Sequence, residues 1–413
     1  MLVLDDVTIA AGIAVLAIAI VAPLLNVLLA RLKGGAPVEE VTDNAEAETP
    51  DADASANETE QSEYNSQPLD AENVKAKPGI SIVVTVDDEV EALRNNLPKW
   101  LGQQYGGDFQ LVVVLTGNDE IVENTLKQYL GDKHLYTTFI PASSRYMSRR
   151  KLAITVGVKA ANYDWIMLTD VNCSPDSTLW LDSMSQHCTE STDLVLGYTN
   201  MSEENKSSWI FDFAHLLYRQ LARAQRGSAF AYSGANMMFR KNLFINGKGF
   251  DGNLKFLRGE YDFIVNKFSN GTNTDVALEP DALVTEEELT RKAWRNKGLY
   301  YLSTRRNLSG IGVPKFCFGL TMVMMVLSNL CFIAVIAFSA IAQEYILTVV
   351  AAVAMLLSWI LRTVVLAKTL KPWAGDMSPV KMFWFEQTMP LRNLRRRIKY
   401  RFTDKYDFIT HKI

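Results

Sequence analysis

The sequence predicts one α/β domain with a mostly parallel sheet, joined to three membrane-spanning helices. Three observations predict it. Apolar residues make up 48% of the 413, and they concentrate in an N-terminal stretch and a C-terminal block around a middle of ordinary soluble composition. Within that middle, short β-branched runs alternate with helical patterns, as expected of a sheet covered on both faces. Between the first apolar stretch and this middle, Gly35–Glu72 holds twelve Asp/Glu and no Lys/Arg.

Val7–Leu32 is a nearly uninterrupted apolar run, long enough to cross a hydrocarbon core of roughly 30 Å. A cleaved signal peptide would begin basic and carry a shorter apolar core. This one begins with Asp5 and Asp6 and is closed by Arg31 and Lys33. The excess of positive charge after the run places the N-terminus outside and the following chain in the cytosol. Residues 1–33 are therefore an anchor. Residues 34–78 have almost no large apolar residue to offset ordering entropy, so they read as a disordered acidic tether.

Residues 79–310 carry the strand–helix alternation. Ile80–Val86 (ISIVVTV) reads as a strand, followed by a helix from Glu89 to Gln104. Phe109–Leu115 (FQLVVVL) is a second strand, with a helix over Glu120–Leu130. Leu135–Ile140 and Asp164–Leu168 are further strands around a helix at Arg149–Ala161, and Leu194–Gly197 is a fifth strand. In such sheets ligands bind beyond the C-terminal strand ends, which directs attention to Asp87–Glu89, Thr116–Glu120 and Asp170–Cys173.

Residues 311–368 hold two more spans, Phe316–Ala342 and Tyr345–Leu366, joined by too few residues to contain a domain. Arg362 lies within the second, near its cytosolic end, where snorkelling to the interface is expected. In residues 369–413, Arg392, Arg395, Arg396, Arg397, Lys399 and Arg401 alternate with Leu391, Leu394, Ile398 and Tyr400. That is a basic amphipathic helix suited to anionic membrane lipid. A tail beside a membrane span meets lipid before nucleic acid, so no nucleic-acid partner is expected. Cys173, Cys188, Cys317 and Cys331 show no paired spacing and His numbers only four. Both facts argue against a disulfide framework and a Cys/His metal centre.

Several segments, in order, carry a family resemblance. They are SIVVTVDDEVEALRNNLP (Ser81–Pro98), SRRKLAITVGVKAANYDWIMLTDVNC (Ser148–Cys173), YSGANMMFRKNLF (Tyr232–Phe244), GEYDFIVNKF (Gly259–Phe268) and LTRKAWRNKGLYYLST (Leu289–Thr304). Together they resemble a membrane-bound family-2 glycosyltransferase with a GT-A fold. The resemblance implies transfer of a sugar, usually with inversion, from a nucleotide-diphospho-sugar donor to a lipid-linked or envelope polysaccharide acceptor. It also implies Mg²⁺ or Mn²⁺ neutralising the diphosphate, on the cytosolic face of the inner membrane.

Mapped on this sequence, the resemblance assigns donor binding to Glu89, Thr116, Asp170 and Trp294, metal to Asp170 and Asn172, and the acidic catalytic segment to Glu260 and Asp262. The chain departs from the family pattern at several of these. Thr116 stands in place of an aspartate, Asn172 replaces the second metal carboxylate, and Tyr261 occupies the usual position of the base. A tyrosine with a pKa near 10 is a poor base at neutral pH, so Glu260 is the candidate. Each residue also has a structural alternative: Glu89, Glu260 and Asp262 suit helix starts, and Trp294 suits packing. The expected function is sugar transfer. The alternative is a catalytically degenerate scaffold that partners an active transferase.

Overall fold

The computed structural model describes residues 6–29, 32–34, 77–116, 120–129, 131–140 and 148–404. The acidic tether expected over 34–78 lies, except at its ends, outside the described residues.

The domain begins with β1 (Ile80–Val86), α2 (Val90–Leu101), β2 (Phe109–Leu115), α3 (Glu120–Lys127) and β3 (Leu135–Phe139), after the N-terminal α1 (Asp6–Leu24). Next come α4 (Arg149–Ala160), β4 (Trp165–Thr169), β5 (Cys173–Pro175), α5 (Trp180–Ser185), β6 (Leu194–Gly197), β7 (Thr199–Met201) and α6 (Ser207–Ala224). Then follow β8 (Asn236–Arg240), α7 (Lys241–Asn246), α8 (Glu260–Phe268), β9 (Thr274–Ala277), β10 (Val284–Glu286) and α9 (Arg291–Thr304). The chain closes with α10 (Gly312–Ile341), α11 (Tyr345–Thr369) and α12 (Pro379–Phe402).

Seven strands form one sheet in the order β3-β2-β1-β4-β8-β6-β9. All its pairings are parallel except those of β8, which runs antiparallel to β4 and β6. Every residue of β1 and β2 is buried, because helices cover both faces, and this is why their sequences show no alternation. Burying each such Val or Ile stabilises by about 1.5–3 kcal/mol. Gly157 lets α4 lie close to the sheet, since a Cβ there would sit 2.6 Å from Val83 Cγ1. The alternation of runs finds β1, β2, β3, β4 and β6. It omits β8, β9 and the small sheet β5-β10-β7, whose strands are too short to show a period.

Among the described residues three helices, α1, α10 and α11, are long and apolar enough to cross a membrane. They meet through Val15, Ala19, Phe332, Ala351 and Ala354, where small residues permit close approach. Val7, Phe338, Ile341 and Val349 face outward, each more than half exposed.

The structure adds detail to these segments and changes the reading of Arg362. The apolar run Val7–Leu32 divides: α1 stops at Leu24 and Val27–Leu29 forms a separate 3-10 turn. Asn26 explains the break, because its Oδ1 accepts from the Leu28 amide at 3.0 Å, competing with helical bonding. The 19 residues of α1 still reach about 28 Å. Arg362 does not snorkel. It is 1% exposed, lies 3.3 Å from Glu386 Oε1 and donates to the Ala22 carbonyl at 3.3 Å. The basic tail is not devoted wholly to lipid: Arg392 and Arg396 of α12 both pair with Asp212 on α6. Asp212 is buried and requires counter-charge. Leu391, Leu394, Ile398 and Phe402 remain exposed along the same helix.

Candidate active site

Asp170 follows β4 directly and so stands at the carboxyl edge of the parallel strands. The turn after it is fixed from two sides. Asn96 Nδ2 donates to the Val171 carbonyl at 2.9 Å, and the Glu287 amide donates to the Asn172 carbonyl at 2.9 Å. Asp170 Oδ1 accepts from the Tyr261 hydroxyl at 2.6 Å and pairs with Arg150 Nη2.

Arg150 comes from the first turn of α4, where Ser148 caps the helix by accepting from the Lys151 amide. A basic residue at this position opposes the helix dipole, so the nearby carboxylates must hold it. Burial works against the Arg150 charge, but Asp170 and Glu260 outweigh it and raise its pKa. Lys151 anchors the loop ahead of α8 by donating to the Asn253 and Phe256 carbonyls at 2.8 and 2.6 Å. Burial brings its ammonium down to about 8, against the pull of Glu260.

Glu260 and Tyr261 open α8. The residue before them, Gly259, has φ +97°, and a Cβ there would meet Thr304 Cγ2 at 2.3 Å. This turn therefore requires glycine on both counts. Glu260 is 4% exposed. Its Oε2 accepts from the Gly259 amide at 3.1 Å, while Oε1 is buried with no hydrogen-bond partner and lies 3.9 Å from Arg150 Nε. Burial pushes the Tyr261 phenol well above its ordinary value, and the Asp170 charge adds to this. Tyr261 therefore stays protonated as a donor to Asp170.

One cleft of 1770 Å³ gathers Glu89, Arg150, Asp170, Asn172, Glu260, Tyr261, Asp262 and Trp294. That exceeds the roughly 300–1,000 Å³ usual for one small ligand. Thr116 is not among the lining residues: its hydroxyl donates to Asp87 Oδ1 at 2.8 Å and ties the first two strand ends together. Glu89 accepts from the Asp87 amide at 2.9 Å, shaping the same turn.

Asp262 accepts from the Tyr232 amide, the Thr304 hydroxyl and Arg305 at 3.1, 3.2 and 3.3 Å. Burial raises its pKa, against the pull of Arg305 and Thr304. With both oxygens engaged, it clamps α8 to the end of α9. Trp294 stacks on Trp209 at 5.4 Å under Arg396, so its ring joins the domain to α12 as well as lining the cleft.

Sequence reasoning missed Arg150, although three consecutive basic residues, Arg149–Lys151, at a helix N-terminus are an electrostatic anomaly. Lys297, one of the basic neighbours of Trp294 in its motif, reaches back from α9 to Glu286.

A divalent cation fits this donor set poorly. Asp170 is already held by a guanidinium and a phenol, and Asn172 offers only a neutral amide. Among the described residues no group of three or more His, Cys, Asp or Glu side chains is placed to hold a metal ion.

A sequence profile of glycosyl transferase family 21 matches residues 55–394. The chain belongs to glycosyl transferase family 21. The motif resemblance pointed to family 2; glycosyltransferase is what the two readings share. No curated protein matches the sequence. Among solved structures, the mannosyltransferase PcManGT from Pyrobaculum calidifontis, in complex with GDP-Man and Mn²⁺, is similar with a TM-score of 0.52 at 14% identity. The match covers 95% of this chain and 98% of that one. At such low identity it shows the fold alone, an α/β glycosyltransferase architecture.

Proposed function

We propose that this family-21 chain transfers a sugar from a nucleotide-diphospho-sugar to a lipid acceptor that enters the cleft from the membrane. The observation that carries this reading is the reach of a single cleft. Asp170 and Glu260 line it, and so do Asn26 and Val27 after α1 and Cys317 and Phe318 in α10. A lipid can present its head to the carboxylates while its chains stay in the bilayer. The nucleotide-sugar bound by the archaeal mannosyltransferase supports the donor class.

In the proposed reaction an acceptor hydroxyl oxygen attacks the anomeric carbon, and its proton passes to Glu260 Oε1. The bond from that carbon to the donor diphosphate breaks, and the nucleoside diphosphate departs. A single displacement of this kind inverts the anomeric configuration. Arg150, held between Asp170 and Glu260, faces the charge that develops on the leaving group, as guanidinium suits phosphate oxygens. No step is routed through a metal ion. Purified protein given a radiolabelled nucleotide sugar and membrane lipid should move label into the organic-extractable fraction, with less than about a tenfold loss in excess EDTA. Absence of label transfer for any donor would sink the enzyme reading, and abolition by EDTA would restore the metal.

The second reading, a scaffold that partners an active transferase, is favoured by Tyr261 and Asn172, which replace two functional carboxylates. It expects no turnover by the wild type, yet impairment of the host pathway when the chain is deleted.

The proposed orientation puts the N-terminus outside the inner membrane and both the domain and the C-terminus in the cytosol, from Arg31, Lys33 and the basic residues beyond Lys368. A cysteine introduced at Glu344 should react with an impermeant reagent added to intact cells, and one introduced at Asp251 should not. The reverse pattern would overturn the topology.

A further inference from the structure

The membrane end of the cleft carries more positive charge than its own carboxylates neutralise. Arg219, Arg223, Arg226, Arg305, Arg306 and Lys315 all line it. Of the acidic groups in the same cleft, Asp170 and Glu260 lie against Arg150, Asp212 is engaged by Arg392 and Arg396, Asp262 by Arg305 and Glu286 by Lys297, while Glu89 accepts from the Asp87 amide. Among the described ion pairs none involves Arg219, Arg223, Arg226, Arg306 or Lys315. Arg219 donates to the His215 carbonyl at 3.2 Å and stacks on Phe318, in α10, at 3.9 Å.

Burial, together with Arg305 and Arg223 nearby, brings the Arg219 guanidinium down to about 10. It remains charged at neutral pH, against repelling neighbours. Two buried polar atoms here also have no partner: Arg305 Nε, in a side chain 9% exposed, and His215 Nε2, in a residue 1% exposed. Burial, with Arg219 and Arg392 adding to it, keeps His215 well below its ordinary value and therefore neutral. Crowded cations and the unmet Arg305 Nε donor in one partly buried space call for an anion with several acceptor oxygens.

We infer that this end of the cleft binds the phosphate of the acceptor's headgroup, so that the acceptor is a phosphate-bearing lipid. The inference rests on the lipid-acceptor reading above. A lipid phosphate supplies one to two negative charges and three acceptor oxygens at neutral pH. The donor diphosphate is the other phosphate in the reaction, but the geometry points it elsewhere. Arg219 rests on a membrane-crossing helix, and Arg305 is tied to Asp262, whereas the strand-end carboxylate Asp170 is served by Arg150. The general membrane surface is excluded by place: Arg305 and His215 lie inside a cleft that a flat bilayer face does not enter.

The test uses the full chain purified in a neutral detergent. Binding of dioctanoyl phosphatidic acid, dioctanoylglycerol, inorganic phosphate and GDP or UDP is measured by calorimetry. Phosphatidic acid should bind at least about tenfold more tightly than the diacylglycerol, and more weakly as salt rises. Inorganic phosphate should bind more weakly still, because it gains nothing from the apolar wall of α10. Arg219→Gln should lose about tenfold for phosphatidic acid, a loss in the range of one charge-assisted hydrogen bond. Arg219→Lys should recover part of this, and nucleotide affinity should stay unchanged. Arg226→Gln, at an exposed position, serves if Arg219→Gln fails to fold, and should show a smaller loss of the same kind.

Equal affinity for the two lipids would overturn the inference. So would inorganic phosphate binding as tightly as phosphatidic acid, or a Gln variant that weakens the nucleotide as much as the lipid. Label transfer that proceeds equally well to a neutral lipid would overturn it too, while leaving the transferase reading in place.

Discussion

Glu260→Gln should lower sugar transfer by about 10²–10⁴, the usual loss on removing a general base, while leaving nucleotide binding within about twofold of wild type. The expectation follows from geometry. Glu260 is the carboxylate in the cleft with a buried oxygen that accepts no hydrogen bond, whereas Asp170 and Asp262 are held by the Tyr261 hydroxyl and the Tyr232 amide. Gln keeps the size and can still accept from the Gly259 amide, so the start of α8 survives. It cannot take a proton. Because the substitution removes an interaction made only as the acceptor loses its proton, kcat should fall without a comparable rise in KM. A Gln variant that retains more than about a tenth of the rate would show that another group, or none, accepts the proton. Tyr261→Phe is the companion measurement. It removes a donor to Asp170, and a loss there alone would move the chemistry to the Asp170–Tyr261 pair.

How far the sequence reveals this site depends on how local each signal is. β1, β2 and β4 are buried on both faces, so their sequences are continuous apolar runs that announce themselves, and Asp170 is found because it ends one of them. The glycine before Glu260 marks the start of α8 for the same reason: its conformation is a property of one residue. Arg150 was overlooked because its meaning lies in partners 20 and 110 positions away, Asp170 and Glu260. Asp262 has the right chemistry for a base, yet three donors from two other segments turn it into a clamp. Thr116 sits on the expected strand end, but its hydroxyl turns toward Asp87. Side-chain direction at a strand end is decided by the neighbouring turn, and periodicity carries no record of it. The membrane end of the cleft was the least legible part. It joins the segment after α1, the start of α10, α6, α9 and α12, and only the fold brings these together.

The same distance explains the misreading of Arg362, and here the expected effect is on stability. Glu386→Ala should destabilise the chain by about 3–5 kcal/mol, the cost typical of leaving one member of a buried ion pair uncompensated. Glu386 is fully buried on α12. Its Oε1 lies 3.3 Å from Arg362 Nη1 on α11 and accepts from Asn26 Nδ2, after α1, at 3.0 Å. Arg362 also donates to the Ala22 carbonyl within α1. One carboxylate thus joins α12, α11 and the end of α1. Without it, the buried guanidinium keeps a single carbonyl, that of Ala22. The thermal midpoint of the detergent-solubilised protein should fall by several degrees. The double variant Arg362→Leu, Glu386→Leu should recover most of the loss, because replacing both charges with apolar groups of similar volume removes the desolvation cost together with the attraction. A single variant within about 1 kcal/mol of wild type would show that the pair contributes little. A double variant as unstable as the single would show that the two side chains act through packing, and that charge is incidental to how the three segments are held.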